Sequence, residues 1–323
     1  MATNITPLVS IIIPAYNVGD YIKPCIESCL NQDAKAIEII VINDGSTDET
    51  PKIVNELSSS QSNIKLINKP NGGVTAACQT GLARASAEYI FFLDGDDRLC
   101  EPDTITKLLN RAQKTNADYV AGDFIIVYQD DKRRLHQFPH YDIHNSEEAL
   151  AYAFLNNDFY YTGRLIRRSL VADVNDNIPR DITYGEDTYA VVNLLTKIRI
   201  ATKIDTPILE YVQRADSVTN RLSVYDLLKR NKSTMLTLRI AEQMNFDRFA
   251  HNAIIIYALR ELYQSIALGV PNREVADKYL KGYHYYSKEV KQKLGCKANT
   301  ILLLASVNMA MTCKAIQLLK LLR

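Results

Sequence analysis

The chain reads as an α/β protein: a mostly parallel sheet with helices on both faces, followed by a helical carboxyl-terminal region. Three observations predict this. Continuous β-branched or aromatic runs recur at LVSIII (8–13), IEIIVI (37–42) and EYIFFL (88–93), as strands buried on both faces require. Segments with apolar residues at helical spacing separate these runs, which is the alternation that builds a parallel sheet. From residue 223 onward the pattern is helical throughout, with long stretches lacking Gly or Pro.

The elements follow in order. The first strand ends at Pro14, and Tyr21, Ile22, Cys25, Ile26, Cys29 and Leu30 then recur on one helical face. The second strand runs into Asp44-Gly45, after which Ser46 and Glu49 have the spacing of a capping box opening a helix. NIKLIN (63–68) reads as a third strand, and Gly73 to Ala85 as a helix with Val74, Ala77, Cys78, Gly81, Leu82 and Ala85 facing inward. The fourth strand delivers Asp94-Gly95-Asp96-Asp97 at its carboxyl end, and Pro102 opens the next helix. Residues 119–220 are mixed. They hold VAGDFIIVYQ, a polar loop with His136, His140 and His144, a helix from Ser146, and YYTGRLIRRSL. YGEDT and two short strand-like runs near 199–204 and 208–213 complete this stretch.

Composition narrows the class. Apolar residues make up 47% and charged residues 23% of the 323, the balance of an ordinary globular protein. The six cysteines are scattered, with Cys25 and Cys29 packed on one helical face, and no Cys/His set has zinc spacing. With no signal peptide at the start, a reducing cytoplasm is the expected setting. The net charge of +1 hides an asymmetry: residues 223–323 carry 16 Lys/Arg against 7 Asp/Glu, and the first 222 carry 22 against 30. An anionic partner is expected for the basic tail, such as a membrane surface or a lipid diphosphate. No basic–aromatic recognition motif accompanies the charge, so nucleic acid is not expected.

The polar clusters locate a site. Pro14–Asn17, Asn43–Ser46 and Asp94–Asp97 each follow directly on a strand, and ligands of such sheets bind at the carboxyl ends of the strands. Asp94, Asp96 and Asp97 would repel one another unless something positive neutralises them. A hard divalent cation with oxygen ligands does so and can bridge a diphosphate, whereas an acidic Asp-Gly turn left in water is the alternative. An aromatic such as Tyr16 can stack on a base, and Asp44 can accept an imide N–H. A dinucleotide-dependent oxidoreductase is disfavoured, because no G-x-G-x-x-G follows the first strand.

PAYN at 14–17, NDGSTDET, NGGVTAACQTGLARA and EYIFFLDGDD, in this order and spacing, resemble the family-2 glycosyltransferases of the GT-A, Rossmann-like fold. GRLIRRSLV, GEDT and EYVQRADSVTN extend the resemblance over about two-thirds of the chain. It implies a nucleotide-sugar-binding half at 1–125 and an acceptor-binding half at 126–222, while the helical basic region at 223–323 lies outside the resemblance. It also implies residue roles. Asp44 would recognise uracil between the walls formed by Pro14, Ala15 and Tyr16. Asp94, Gly95 and Asp97 would meet the ribose, diphosphate or sugar, and Asp96 would hold Mn2+ or Mg2+. Arg214 and Ser217 would meet the diphosphate. Asp187 would be the catalytic base, with Glu186 beside it, although an acidic pair at a helix start also complements the helix dipole. The family's Ala-Arg-Asn-x-Gly is here Ala77-Cys78-Gln79-Thr80-Gly81, so an arginine contact is missing, and Lys69 or Arg84 would have to replace it. The expected reaction is inverting transfer of a hexose or N-acetylhexosamine from a UDP-sugar to a glycan hydroxyl, the glycan being carried on lipid. An inactive sugar-nucleotide-binding protein on the same fold is the alternative.

The tail carries one further signal. ILLLASVNMAMTC (301–313) is apolar for 13 residues, too short to span a bilayer, and basic residues surround it. It reads either as an interfacial helix that brings the protein peripherally to the membrane, or as a helix packed on the catalytic body or on a second copy in a homodimer.

Overall fold

The computed structural model describes residues 6–321 except 35, 177, 180, 181, 183, 215–222 and 245. The described chain forms two compact units, neither contiguous in sequence: residues 1–146, 160–178 and 197–220, and residues 147–159, 179–196 and 221–323. The expected boundary at 222/223 coincides with the start of a helix, but 147–159 and 179–196 group with the carboxyl-terminal helices.

The first unit is built on one sheet. Its strands are β1 (Val9–Ala15), β2 (Ile37–Asn43), β3 (Ile64–Asn68), β4 (Tyr89–Phe92), β5 (Arg98–Leu99), β6 (Tyr119–Val127), β7 (Arg133–His136), β8 (Asp142–Ile143), β9 (Leu165–Arg167) and β10 (Ala201–Val212). The order is β3-β2-β1-β4-β9-β6-β10-β5, with β7 on β6 and β8 on β10. β3, β2, β1 and β4 pair in parallel, as the alternating pattern predicts. Beyond β4 the sheet is mixed, since β9 runs antiparallel to both β4 and β6 while β6 and β10 are parallel. Helices α1 (Gly19–Leu30), α2 (Thr50–Ser60), α3 (Val74–Leu82), α4 (Thr104–Thr115) and α6 (Arg168–Asp176) belong to this unit.

The core follows from the apolar runs. Every residue of β2 and all but Pro14 of β1 are buried, with Val9, Ile11, Ile13, Ile39, Val41 and Phe91 in one cluster with Ile22, Cys25 and Ile26 of α1. Burying each large aliphatic side chain contributes roughly 1.5–3 kcal/mol, which outweighs the chain entropy only because the runs are continuous. On the other face α3 packs against β1 and β2. A Cβ on Gly81 would lie 2.4 Å from Ile12 Cγ2, so only glycine lets this helix approach the sheet.

Several local expectations are corrected. Ser46 does not cap a helix: α2 starts at Thr50 with Glu49 at its N-cap and no side-chain cap, because Ser46 bonds to the first strand's turn instead. Likewise α4 starts at Thr104 rather than at Pro102. The two runs at 199–204 and 208–213 form the single strand β10, with register shifts between Lys203 and Leu209. His136 closes β7 rather than lying in a loop.

The second unit is helical: α5 (Ser146–Asn156), α7 (Glu186–Leu195), α8 (Val224–Glu242), α9 (Arg248–Ala267), α10 (Arg273–Val275), α11 (Lys288–Leu294) and α12 (Cys296–Leu321). Ser223 caps α8 in a capping box with Asp226, and Asp247 caps α9. Phe154, Phe159 and Tyr257 form an aromatic cluster, and Arg230 pairs with Glu261 at 2.9 Å.

Candidate functional site

The carboxyl edge of the parallel strands carries three turns, and the first two are knitted together. Asn17 adopts a left-handed backbone (φ 51) and accepts the Thr47 N–H at 2.8 Å, while its own N–H donates to Ser46 Oγ at 3.1 Å. Asp48 accepts the Gly19 N–H at 2.8 Å and the Thr50 N–H at 3.0 Å. Burial opposes ionisation of Asp48, but these bonds prevail and hold its carboxyl below the usual range. Ala15 is buried, whereas Tyr16 is 51% exposed at the strand end, open to stack on a planar ligand.

Asp44 follows directly on β2 and is buried, yet its carboxylate is richly supplied with donors. Lys69 Nζ pairs with Oδ1, Gly72 N–H donates to Oδ1 at 3.0 Å and Oδ2 at 3.2 Å, and Gly73 N–H donates to Oδ2 at 2.8 Å. Lys69, one of the two cations named as replacements for the family's arginine, addresses Asp44. Cys78 itself is buried under the sheet.

The third turn is differently composed. Gly95 lies against β1, where a Cβ would sit 3.2 Å from the Pro14 carbonyl, and the Asp97 N–H closes the turn on the Asp94 carbonyl at 2.9 Å. Asp97 is 1% exposed. Its Oδ1 accepts the Val212 N–H at 2.9 Å, while its Oδ2 is buried with no hydrogen-bond partner among the described residues. Burial first, then the like charges of Asp94 and Asp96, push this carboxyl well above the usual range. Asp96 lies 2.8 Å from Arg214 Nε, and the Arg214 guanidinium sits over the Tyr21 ring at 5.4 Å. Beneath the turn, Cys25 donates to the Asp94 carbonyl at 3.6 Å, and burial pushes its thiol up, so it packs as a neutral group.

These side chains fit a divalent cation by two tests. The donors are all oxygen, as Mg2+ and Mn2+ prefer, and the buried Asp97 Oδ2 has no hydrogen-bond partner among the described residues. Among the described residues no three His, Cys, Asp or Glu side chains are grouped so that they could hold a metal ion by themselves. Any cation here therefore takes further ligands from substrate or water, as Mg2+ sites do.

Glu186 and Asp187 belong to the second unit, in the first turn of α7. Gly185 precedes them in the left-handed region (φ 77), and its carbonyl accepts from Ser233 of α8. Asp187 is exposed and Glu186 half-buried, and burial raises the Glu186 carboxyl above its usual range. Ser217 lies outside the described residues. Lys69, Asn17 and Tyr21 form the support that sequence left unassigned or uncertain. The structure shows Asn17 at positive φ, a conformation that Asn tolerates better than most residues.

With this geometry in view, the fold is of GT-A type. It is similar to S. aureus TarS 1-349 determined with UDP-GlcNAc, at TM-score 0.70 and 17% identity over 96% of this chain and 90% of that one. Residues 10–174, just over half of the chain, match the family described as Glycosyl transferase family 2, and the chain belongs to that family. It is 31% identical over 220 residues to the uncharacterized glycosyltransferase EpsJ of Bacillus subtilis, covering 66% of this chain and 63% of that protein. To the cholesterol galactosyltransferase of Borreliella burgdorferi it is 30% identical over 242 residues, covering 71% and 67%. The chain thus spans somewhat under two-thirds of EpsJ.

Proposed function

We propose that the protein is an inverting glycosyltransferase that moves a hexose or N-acetylhexosamine from a UDP-sugar to a glycan hydroxyl, with Mn2+ or Mg2+ as cofactor. The observation that carries this is the buried, unpaired Oδ2 of Asp97 in a run of three carboxylates at a GT-A sheet's carboxyl edge. Asp96 holds the cation, which when bound supplies Lewis-acid neutralisation of the leaving diphosphate. Asp94, Gly95 and Asp97 line the ribose, diphosphate and sugar. Arg214, which pairs with Asp96 at 2.8 Å, would meet the diphosphate. Pro14, Ala15 and Tyr16 wall the base. Asp44 accepts the uracil imide N–H by giving up its longest bond, that of Gly72 to Oδ2 at 3.2 Å. The TarS structure with UDP-GlcNAc supports the choice of uridine.

Asp187 takes the proton of the acceptor hydroxyl, with Glu186 beside it. One base without a carboxylate nucleophile gives inversion. The acceptor is a glycan on a lipid carrier at the cytoplasmic face of the membrane. The basic tail and a relative named for a sterol acceptor support this reading.

A panel of nucleotide sugars, assayed with and without manganese, tests the proposal. Asp187→Asn is expected to keep donor binding and to abolish transfer. Transfer at the wild-type rate by Asp187→Asn would remove the base assignment, and metal-independent turnover would remove the cofactor.

A further inference from the structure

The second unit ends on a helix whose two sides are both apolar. Ala298, Leu302 and Ala305 of α12 are buried, and the helix packs on α9. On its other side Leu303 is 45%, Leu304 55%, Val307 79% and Met311 68% exposed. A helix that is apolar all round is normally covered all round, so this ridge lacks a partner within the unit.

The helix is also broken. Asn308 has φ −151 and ψ 98, and its side-chain Oδ1 accepts the Met311 N–H at 3.0 Å, so it caps a new helix. By length and composition alone 296–316 could cross a membrane. The break divides it into segments, the first of twelve residues and about 18 Å, against the roughly 30 Å of a hydrocarbon core. The first segment alone is therefore too short to span a hydrocarbon core, and it is long enough to lie in the plane.

Charge selects the occupant. Residues 281–323 carry eight Lys/Arg and a single acidic residue, Glu289. Lys288, Lys293, Lys297 and Lys314 are exposed and make no ion pair among the described residues. Helical spacing places Lys297 on the face of Leu304 and Val307, and Lys314 on the face of Met311. A second copy would bring the same cationic ridge and repel it, whereas an anionic surface answers both the charge and the apolar stripe.

We propose that both segments of α12 lie flat on an anionic lipid bilayer, with Leu303, Leu304, Val307 and Met311 in the acyl boundary and the lysines on headgroup phosphates. This deepens the reading of a membrane-borne acceptor and rests on it for its purpose, while its physical basis is α12 alone.

Co-sedimentation of the full chain with phosphatidylcholine vesicles, with and without phosphatidylglycerol, tests it. Binding is expected only with the anionic lipid and is weakened by salt. Leu304→Asp with Val307→Asp should lower the partition coefficient at least about tenfold. Lys297→Ala with Lys314→Ala should lower it about fivefold per lysine on anionic vesicles. All four side chains are exposed, and an unchanged thermal melt confirms folding. Equal binding to neutral vesicles, no binding at all, or binding unaltered by both pairs would overturn the proposal. So would a lipid-free dimer that Leu304→Asp with Val307→Asp dissociates, which would assign the ridge to a second copy. Nucleotide-sugar turnover without vesicles on the same preparations reads the transfer activity separately.

Discussion

The two edges of the parallel sheet treat buried carboxylates in opposite ways. At the amino edge, Glu38 of β2 receives Lys65 Nζ at 2.7 Å, Ser10 Oγ at 2.7 Å, and both the N–H and the hydroxyl of Ser86. Burial alone would raise its pKa, but these donors hold it down at about 2. Asp118, just before β6, is similarly supplied by Arg167 and Arg199. At the carboxyl edge Asp97 has one backbone donor and an orphaned oxygen, and its carboxyl is raised instead. The same residue chemistry stabilises the fold at one edge and costs stability at the other. A buried carboxyl short of donors is an arrangement found where function comes at a cost in stability. Asp44 lies between these extremes, at the functional edge but with a structural complement of donors.

Breaking the contrast at its functional end has the largest expected effect. Asp96→Ala should lower transfer by about a thousandfold, the loss typical of removing a group that neutralises developing charge. Steady-state assays at saturating manganese check this, and the melting temperature should not fall. Removing the structural end comes next. Glu38→Gln should destabilise folding by about 1–3 kcal/mol, since Lys65 and Ser86 lose a charged acceptor, while donor binding stays unchanged. Chemical denaturation measures the loss. Glu38 also carries a pH signature. Its folded value lies below its ordinary 4.5, so its stabilisation is complete above that pH and fades as pH falls toward about 2. Thermal melts across this window should show a component that Glu38→Gln lacks. The smallest effect has the opposite sign. Asp97→Asn should raise stability by about 1 kcal/mol, because a neutral amide relieves the repulsion from Asp94 and Asp96, yet it should impair transfer.

The edges also differ in what sequence reveals. The runs at β1, β2 and β4 are buried on both faces, so they are legible as unbroken apolar stretches, and the carboxylates that follow them are legible as a site. Partners far along the chain are not. Ser46 and Glu49 have the spacing of a capping box, but the competing bond to Asn17 comes from 29 residues away. Lys69 reaches Asp44 across 25 residues, and no local pattern announces it. The mixed part of the sheet was hidden because β9 has only three residues, too few to show a period. The break in α12 lacks Gly or Pro, since Asn308 makes it by capping.

In the proposed reading, the buried Asp97 Oδ2, which has no hydrogen-bond partner among the described residues, marks the turn that a cation and a diphosphate complete. Thermal shift of the wild type and of Asp96→Ala, with Mn2+ and UDP added singly and together, addresses it directly. A rise in melting temperature for the wild type that needs both additions, and its loss in Asp96→Ala, is the predicted result. An equal rise in the variant, or a wild-type rise with UDP that manganese does not alter, would contradict it.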